Sequence, residues 1–178
     1  LLVSLPAVAS DNNEEAWEAL REGRAVLMLR HALAPGTSDP GNFDINDCST
    51  QRNLNDVGRE QARAWKPFLA DHGIADARVF SSQWCRCMDT ATGMDMGKVT
   101  EWPSLNSFFR NRGDGPAQTR QTIALVNELE DGAPVIMVSH QVNITGLTGI
   151  FPSSNEGAII ALPLSEDPTV LARVSPGR

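Results

Sequence analysis

Two of the chain's three histidines follow apolar runs: Ala25-Val-Leu-Met-Leu29 leads into Arg30-His31, and Pro134-Val-Ile-Met-Val138 leads into Ser139-His140. A third run, Ala77-Arg-Val-Phe80, leads into Ser81-Ser82 and then Arg86. A neutral imidazole is a nucleophile and a proton carrier, and a guanidinium is a planar fork that grips oxyanions through paired hydrogen bonds. Singly these residues are ordinary. A histidine after a strand is more often a satisfied structural side chain than a catalyst, and Arg86 has Asp89 within reach across a helical turn. Their placement lifts them above that reading, because three strand ends each deliver part of the set. His72, beside Gly73, is the bland histidine and suits a helix C-terminus.

The elements that position these groups follow from hydrophobic periodicity. Residues 14–23 read as a short helix stopped by Gly23, and residues 25–29 as a strand buried on both faces. A long stretch, 32–53, is dense in Pro, Gly, Asp, Asn and Ser, the composition of a functional or mobile loop. From Leu54 the spacing of Val57, Gln61, Ala64, Trp65, Phe68 and Leu69 predicts one helix, capped by Asn55 and ended by Gly73. Ala77–Phe80 is the next strand, with Ser81-Ser82 capping a helix through about Thr92. Val99–Trp102 is a short strand, 116–130 a helix, Pro134–Val138 a strand running to a further helix, and Ala158–Leu162 and Val170–Val174 two closing strands. Apolar strands alternating with amphipathic helices predict an α/β fold, a sandwich with a largely parallel sheet. Ligands of such sheets bind outside the carboxyl ends of the strands, where Arg30, His31, Arg86 and His140 fall.

Composition narrows the classes. At 178 residues, 41% apolar and 21% charged, the chain suits one compact domain with a real core. A net charge of −7 and a pI near 4.9 argue against a nucleic-acid or anionic-membrane binder, although converging arginines can still hold a small anion. Residues 1–9 end in Ala7-Val8-Ala9 before a polar run, the pattern of a signal-peptide remnant, which leaves 10–178 as the domain and implies a periplasmic or secreted protein without stable membrane insertion. Three cysteines, Cys48, Cys85 and Cys87, allow one disulfide, Cys48 with Cys85 or with Cys87. Cys85-x-Cys87 lacks the spacing of a zinc knuckle or a thioredoxin-like site, so no metal is expected there.

Four segments taken together resemble the histidine phosphatase (phosphoglycerate mutase-like) superfamily. Leu29-Arg30-His31-Ala32 is similar to its R-H-G opening in an R-H-A form. Arg52-Asn-Leu54-Asn-Asp-Val-Gly58-Arg-Glu-Gln61-Ala62 resembles L-T-x-x-G-x-x-Q-A, and Ser81-Ser82-Gln-Trp-Cys-Arg86-Cys-Met-Asp-Thr90-Ala91 resembles S-S-x-x-x-R-x-x-x-T-A. Val135-Ile-Met-Val-Ser139-His140 resembles V-x-V-S-H-G. The four stand in the family's order. The resemblance implies a three-layer α/β/α sandwich of the phosphoglycerate mutase type. It implies His31 as a nucleophile that becomes phosphohistidine, Arg30 and Arg86 on the phosphate, and His140 beside the transferring group, with neither metal nor other cofactor. Two glycines of the pattern are replaced, by Ala32 and Gln141. The family's glutamate, which protonates the departing oxygen, has no counterpart in Leu105-Asn106-Ser107. Asp39, Asp44, Asp47 and Glu101 are the substitutes, with Asp47 preferred because Cys48 could pin it near Arg86; Asp39 and Asp44 read more simply as turn formers.

The expected activity is metal-independent hydrolysis of phosphomonoesters, on a small phosphorylated substrate such as a sugar or lipid-linked phosphate. A catalytically weak anion-binding pseudo-phosphatase and, for a cytoplasmic protein, a phosphohistidine phosphatase are the alternatives. Trp84 and Trp102 are candidate pocket walls, although core packing is the simpler reading for both.

Overall fold

The structure is a computed structural model that describes residues 12–177; the segment 1–9 lies outside the described residues. Six strands form one sheet: β1 (Ala25–Arg30), β2 (Arg78–Ser81), β3 (Val99–Glu101), β4 (Val135–Ser139), β5 (Gly157–Ala161) and β6 (Val170–Val174), in the order β3-β2-β4-β1-β5-β6. The first four pair in parallel, while β5 and β6 add antiparallel ladders on the far side of β1. The sheet is therefore mixed, with the parallel half carrying the strand ends of interest.

Alternate residues of each apolar strand serve opposite layers. Leu27, Leu29, Val79, Ile136 and Val138 pack on α1 (Asn12–Arg21), α3 (Trp65–Asp71) and α4 (Cys85–Met94), through Trp17, Leu20, Trp65, Leu69 and Met94. Val26, Met28, Phe80 and Met137 pack on α5 (Gly115–Asn127) and α6 (Gln141–Thr148), through Val126, Ile144 and Leu147. A sheet covered on both faces explains why β1 and β4 read as unbroken apolar runs. Burying a Leu or Met side chain contributes about 1.5–3 kcal/mol, so these strands anchor the fold. Among the described residues no helix is long and apolar enough to cross a membrane.

Local chemistry sets the helix ends. Gly23 follows α1 at φ +75°, a left-handed conformation that costs glycine no steric clash. Asn55 caps α2 (Asp56–Arg63) by accepting from the Gly58 amide at 2.9 Å. The single helix expected over this region is broken at Ala64 into α2 and α3. Pro67 has no N–H to give the Arg63 carbonyl, and its ring crowds that turn. The helix after β2 begins at Cys85, with Trp84 rather than a serine as N-cap; Ser82 Oγ accepts from the Trp84 amide at 3.2 Å.

Candidate active site

The registers place the working groups at one level. Leu29 pairs with Val138 and Arg30 with Ser139, while Ser81 pairs with Val138 on the other side of β4. The carboxyl ends of β1, β2 and β4 therefore finish side by side, and the chain leaves each of them on the same edge. The His31 amide donates to the Ser139 carbonyl at 3.0 Å, and its own carbonyl accepts from the Asn155 amide at 3.1 Å.

The motif residues are struts around His31. Ala32 N–H donates to Thr90 Oγ1 at 3.0 Å, and that hydroxyl donates to the Arg86 carbonyl at 2.7 Å. Leu33 N–H donates to Gln61 Oε1 at 2.9 Å. A Cβ at Gly58 would stand 2.1 Å from the Leu33 carbonyl oxygen, so only glycine lets α2 approach the chain after His31. Ser139 Oγ donates to the Leu105 carbonyl at 2.6 Å and anchors the segment after β3.

His31 and His140 are buried, with 2% and 4% of their surfaces exposed, and their ring centroids lie 5.6 Å apart. His31 Nδ1 is 2.8 Å from the Ala32 carbonyl, which can only accept; Nδ1 therefore carries the proton and Nε2 a lone pair. Arg86 Nε donates to that Nε2 at 3.2 Å. Burial, then the Arg86 charge, lower the His31 pKa to about 3, against a partial upward pull from the Ala32 carbonyl. The ring is neutral at ordinary pH. His140 Nε2 lies 2.8 Å from Ser82 Oγ and 3.5 Å from Cys87 Sγ, and burial followed by Arg86 holds its pKa well below the usual value.

A cavity of about 260 Å³ opens over these rings. Among the described residues four arginines line it, Arg30, Arg52, Arg86 and Arg110, against a single carboxylate, Asp39. Arg30 and Arg52 each keep a buried Nε without a hydrogen-bond partner. Arg30 Nη1 donates to the Pro152 carbonyl at 3.1 Å, and Arg52 Nη1 donates to the Ala34 carbonyl. Burial and the neighbouring Arg86 charge lower the pKa of both guanidiniums. Arg52 is the residue that motif reading passed over. It heads the Gly58-Gln61 segment that docks behind His31, which was the available signal.

Asp47, preferred as the acid, is displaced by the structure. It is exposed and outside the cavity; its Oδ1 caps a short 3-10 turn, accepting from Ser49 N at 3.0 Å and Ser49 Oγ at 2.7 Å. Asp44 Oδ1 accepts from Asn46 N at 2.8 Å, and Glu101 meets Gln83 at 3.3 Å; neither lines the cavity. Asp39 does. Arg86 pairs with it at 2.8 Å, leaving the reading of an Arg86–Asp89 pair unsupported. Cys48 is bonded to Cys85, which ties loop 32–53 to the start of α4, and Cys87 is a buried thiol that burial pushes up to about 12. With Cys85 in a disulfide, Cys85-x-Cys87 offers no dithiol. Trp84 lines the cavity and stacks on Phe43 at 4.9 Å, whereas Trp102 packs on Phe80 beneath the sheet. His72 ends α3 and stacks on Trp17 at 4.1 Å, away from the site.

Residues 26–111 match the family model described as Histidine phosphatase superfamily (branch 1). No curated protein sequence matches the chain. Among solved structures, the protein histidine phosphatase SixA complexed with tungstate superposes with a TM-score of 0.60 at 22% identity, over 85% of this chain and 97% of that one. A phosphoserine phosphatase from Entamoeba histolytica superposes with a TM-score of 0.58 at 13% identity, over 86% and 98%. A mycobacterial glucosyl-3-phosphoglycerate phosphatase gives 0.54 at 18%, over 78% and 91%. At these identities the likeness establishes the α/β fold.

Proposed function

We propose that this chain, whose residues 26–111 match the histidine phosphatase superfamily model, is a phosphatase of that family that passes a phosphoryl group from substrate to His31 and then to water. The observation that carries the reading is the unprotonated Nε2 of a neutral, buried His31, faced by Arg86 Nε, in a cavity that Arg30 and Arg52 also line. Phosphoryl transfer asks little of the protein beyond positioning and cations on the equatorial oxygens. The unpartnered Nε groups of Arg30 and Arg52 suit such an anion, and a surplus of arginine over carboxylate makes the cavity locally positive in an acidic chain.

In the proposed reaction, His31 Nε2 attacks phosphorus in line as the bond to the leaving group breaks, giving a phosphohistidine that water hydrolyses. Nδ1–H on the Ala32 carbonyl holds the tautomer and orients the ring. With Nε2 of His140 engaged by Ser82, its Nδ1 is the nitrogen left to meet the phosphoryl oxygens. Positive charge comes from arginine, so hydrolysis is proposed to be metal-independent.

Phosphomonoesters are the proposed general substrates. A P–N bond, as in a phosphohistidine, is the second reading, favoured by the absence of a free carboxylate among the described residues that line the cavity. General acid catalysis typically contributes roughly 10²–10⁴ in rate, and a P–N leaving group depends on it less. Export is also proposed; the Cys48–Cys85 disulfide supports an oxidising compartment. The test is hydrolysis of p-nitrophenyl phosphate and of a phosphohistidine peptide by wild type and His31→Ala, with and without chelator. Turnover that survives chelator and vanishes in the variant is expected. Turnover that persists in His31→Ala would overturn the assignment.

A further inference from the structure

Among the described residues that line the cavity Asp39 is the one carboxylate, and its geometry is unlike that of a proton donor. Oδ1 accepts from Arg52 N at 2.9 Å and from Arg86 Nη1 at 2.8 Å. Oδ2 accepts from Trp84 Nε1 at 3.1 Å and from Arg86 Nη2 at 3.3 Å. Two N–H donors meet each oxygen. A carboxyl proton added to either oxygen would point at one of them, so the arrangement suits the carboxylate alone. The side chains of Arg86 and Asp39 are only 5% and 10% exposed, which shields the pair from water.

The other contacts of Arg86 show what this pairing achieves. Asp39 occupies the Nη1–Nη2 end of the guanidinium, and the Arg52 carbonyl takes a further bond from Nη1 at 3.3 Å. Nε remains, directed at His31 Nε2 at 3.2 Å, where phosphorus must arrive. A planar fork held at its end has its side edge aimed. Asp39 is itself held from several directions. Arg110 Nη2 donates to its carbonyl at 2.7 Å, and Gln51 Oε1, further along the same loop, accepts from the Cys85 amide at 2.9 Å. The Cys48–Cys85 disulfide closes the same loop onto α4.

Resting on the phosphatase reading, we propose that Asp39 is the positioning residue of the site: it fixes Arg86 so that its Nε edge faces the phosphoryl group on His31, and it donates no proton to the leaving group. Burial pushes the Asp39 carboxyl up, but hydrogen bonds from the Arg52 amide and from Arg86, with the Arg86 charge and Trp84, outweigh it and leave it below the usual range. The proposal has a distinctive kinetic consequence. A misaimed Arg86 penalises every substrate alike, whereas a lost acid penalises poor leaving groups most.

The experiment measures kcat and KM for p-nitrophenyl phosphate and phenyl phosphate, and the Ki of tungstate, in wild type and Asp39→Asn. The amide keeps the shape but turns an N–H group toward two donors. Expected is a fall in kcat/KM on the order of 10²-fold, the same for both esters, with a parallel weakening of tungstate and an unmoved alkaline limb of the pH profile. A loss confined to phenyl phosphate, with tungstate untouched, would make Asp39 the general acid and overturn the proposal; so would unchanged kinetics. Should Asp39→Asn not fold, Trp84→Phe removes one donor to Oδ2 while keeping a ring, and the same uniform loss, smaller in size, is expected. If the wild type hydrolyses neither ester, the phosphomonoester reading fails, and tungstate binding by calorimetry still decides: Asp39→Asn must weaken it.

Discussion

The two walls of the cavity are built differently. The wall from residues 32–53 has little regular structure, yet it is tied down by the Cys48–Cys85 disulfide, by Gln51 on the Cys85 amide and by Asp39 on Arg86. The opposite wall, residues 106–114, brings Phe109 at 51% exposure and Arg110, which reaches across to the Asp39 carbonyl. The first wall organises charge and the second presents surface. Electrostatic stabilisation of a transition state works when the donors are already in place, because reorganising them during reaction consumes the gain. Donors that are to hold a phosphoryl group therefore have to be fixed beforehand, as Arg86 is by Asp39.

That contrast can be broken most directly at Arg86. Arg86→Ala leaves Asp39 buried without its ion partner, so turnover should be lost and stability should fall by about 3–5 kcal/mol, read by urea unfolding. A variant as stable as wild type would show that the pair does not organise the wall. Cutting the disulfide comes next. With its ends 37 positions apart in the chain, Cys48→Ser should cost about 4 kcal/mol and add a loss of tungstate affinity that reductant reproduces in the wild type.

Acid offers a third probe. His31 is held neutral in the fold, so its contribution to stability is present above the unfolded value near 6.5 and is lost as pH falls toward its folded value of about 3. Asp39, held below the usual carboxylate range, contributes in the same direction at lower pH. Thermal unfolding between pH 7 and pH 4 should therefore show a steeper decline for wild type than for His31→Gln. Equal slopes would mean that His31 titrates normally. The smallest effect belongs to the second wall: Phe109→Ala should change stability by no more than about 0.5 kcal/mol while raising KM for aryl phosphates. A large destabilisation there would erase the distinction between the walls.

Much of this was legible in the residues. Apolar runs located β1, β2 and β4 to within a residue at most ends, and Arg30, His31, Arg86 and His140 followed because each stands at or just beyond such a run. Gly58, Gln61 and Thr90 were visible as motif letters, and the structure gives their reasons: close approach, an acceptor for Leu33 and a bridge from Ala32 to Arg86. The helix break at Ala64 was readable from Pro67 but was outweighed by the apolar spacing around it. The choice among Asp39, Asp44 and Asp47 was not readable. Proximity to Cys48 favoured Asp47, and the disulfide does bring that loop to α4, but the Asp47 carboxylate turned to the local Ser49 amide.

By itself, then, the sequence determined which strands form, which groups stand at their ends and which chemistry those groups allow. Periodicity reports burial, and burial places a strand and its last residue. The tertiary structure alone decided which cysteine pairs with Cys48, that Arg52 joins the site, and that Asp39 meets Arg86 across 47 positions of chain. An irregular loop has no period, and the direction of its side chains is set by partners far away in the chain, which only the closed fold brings near.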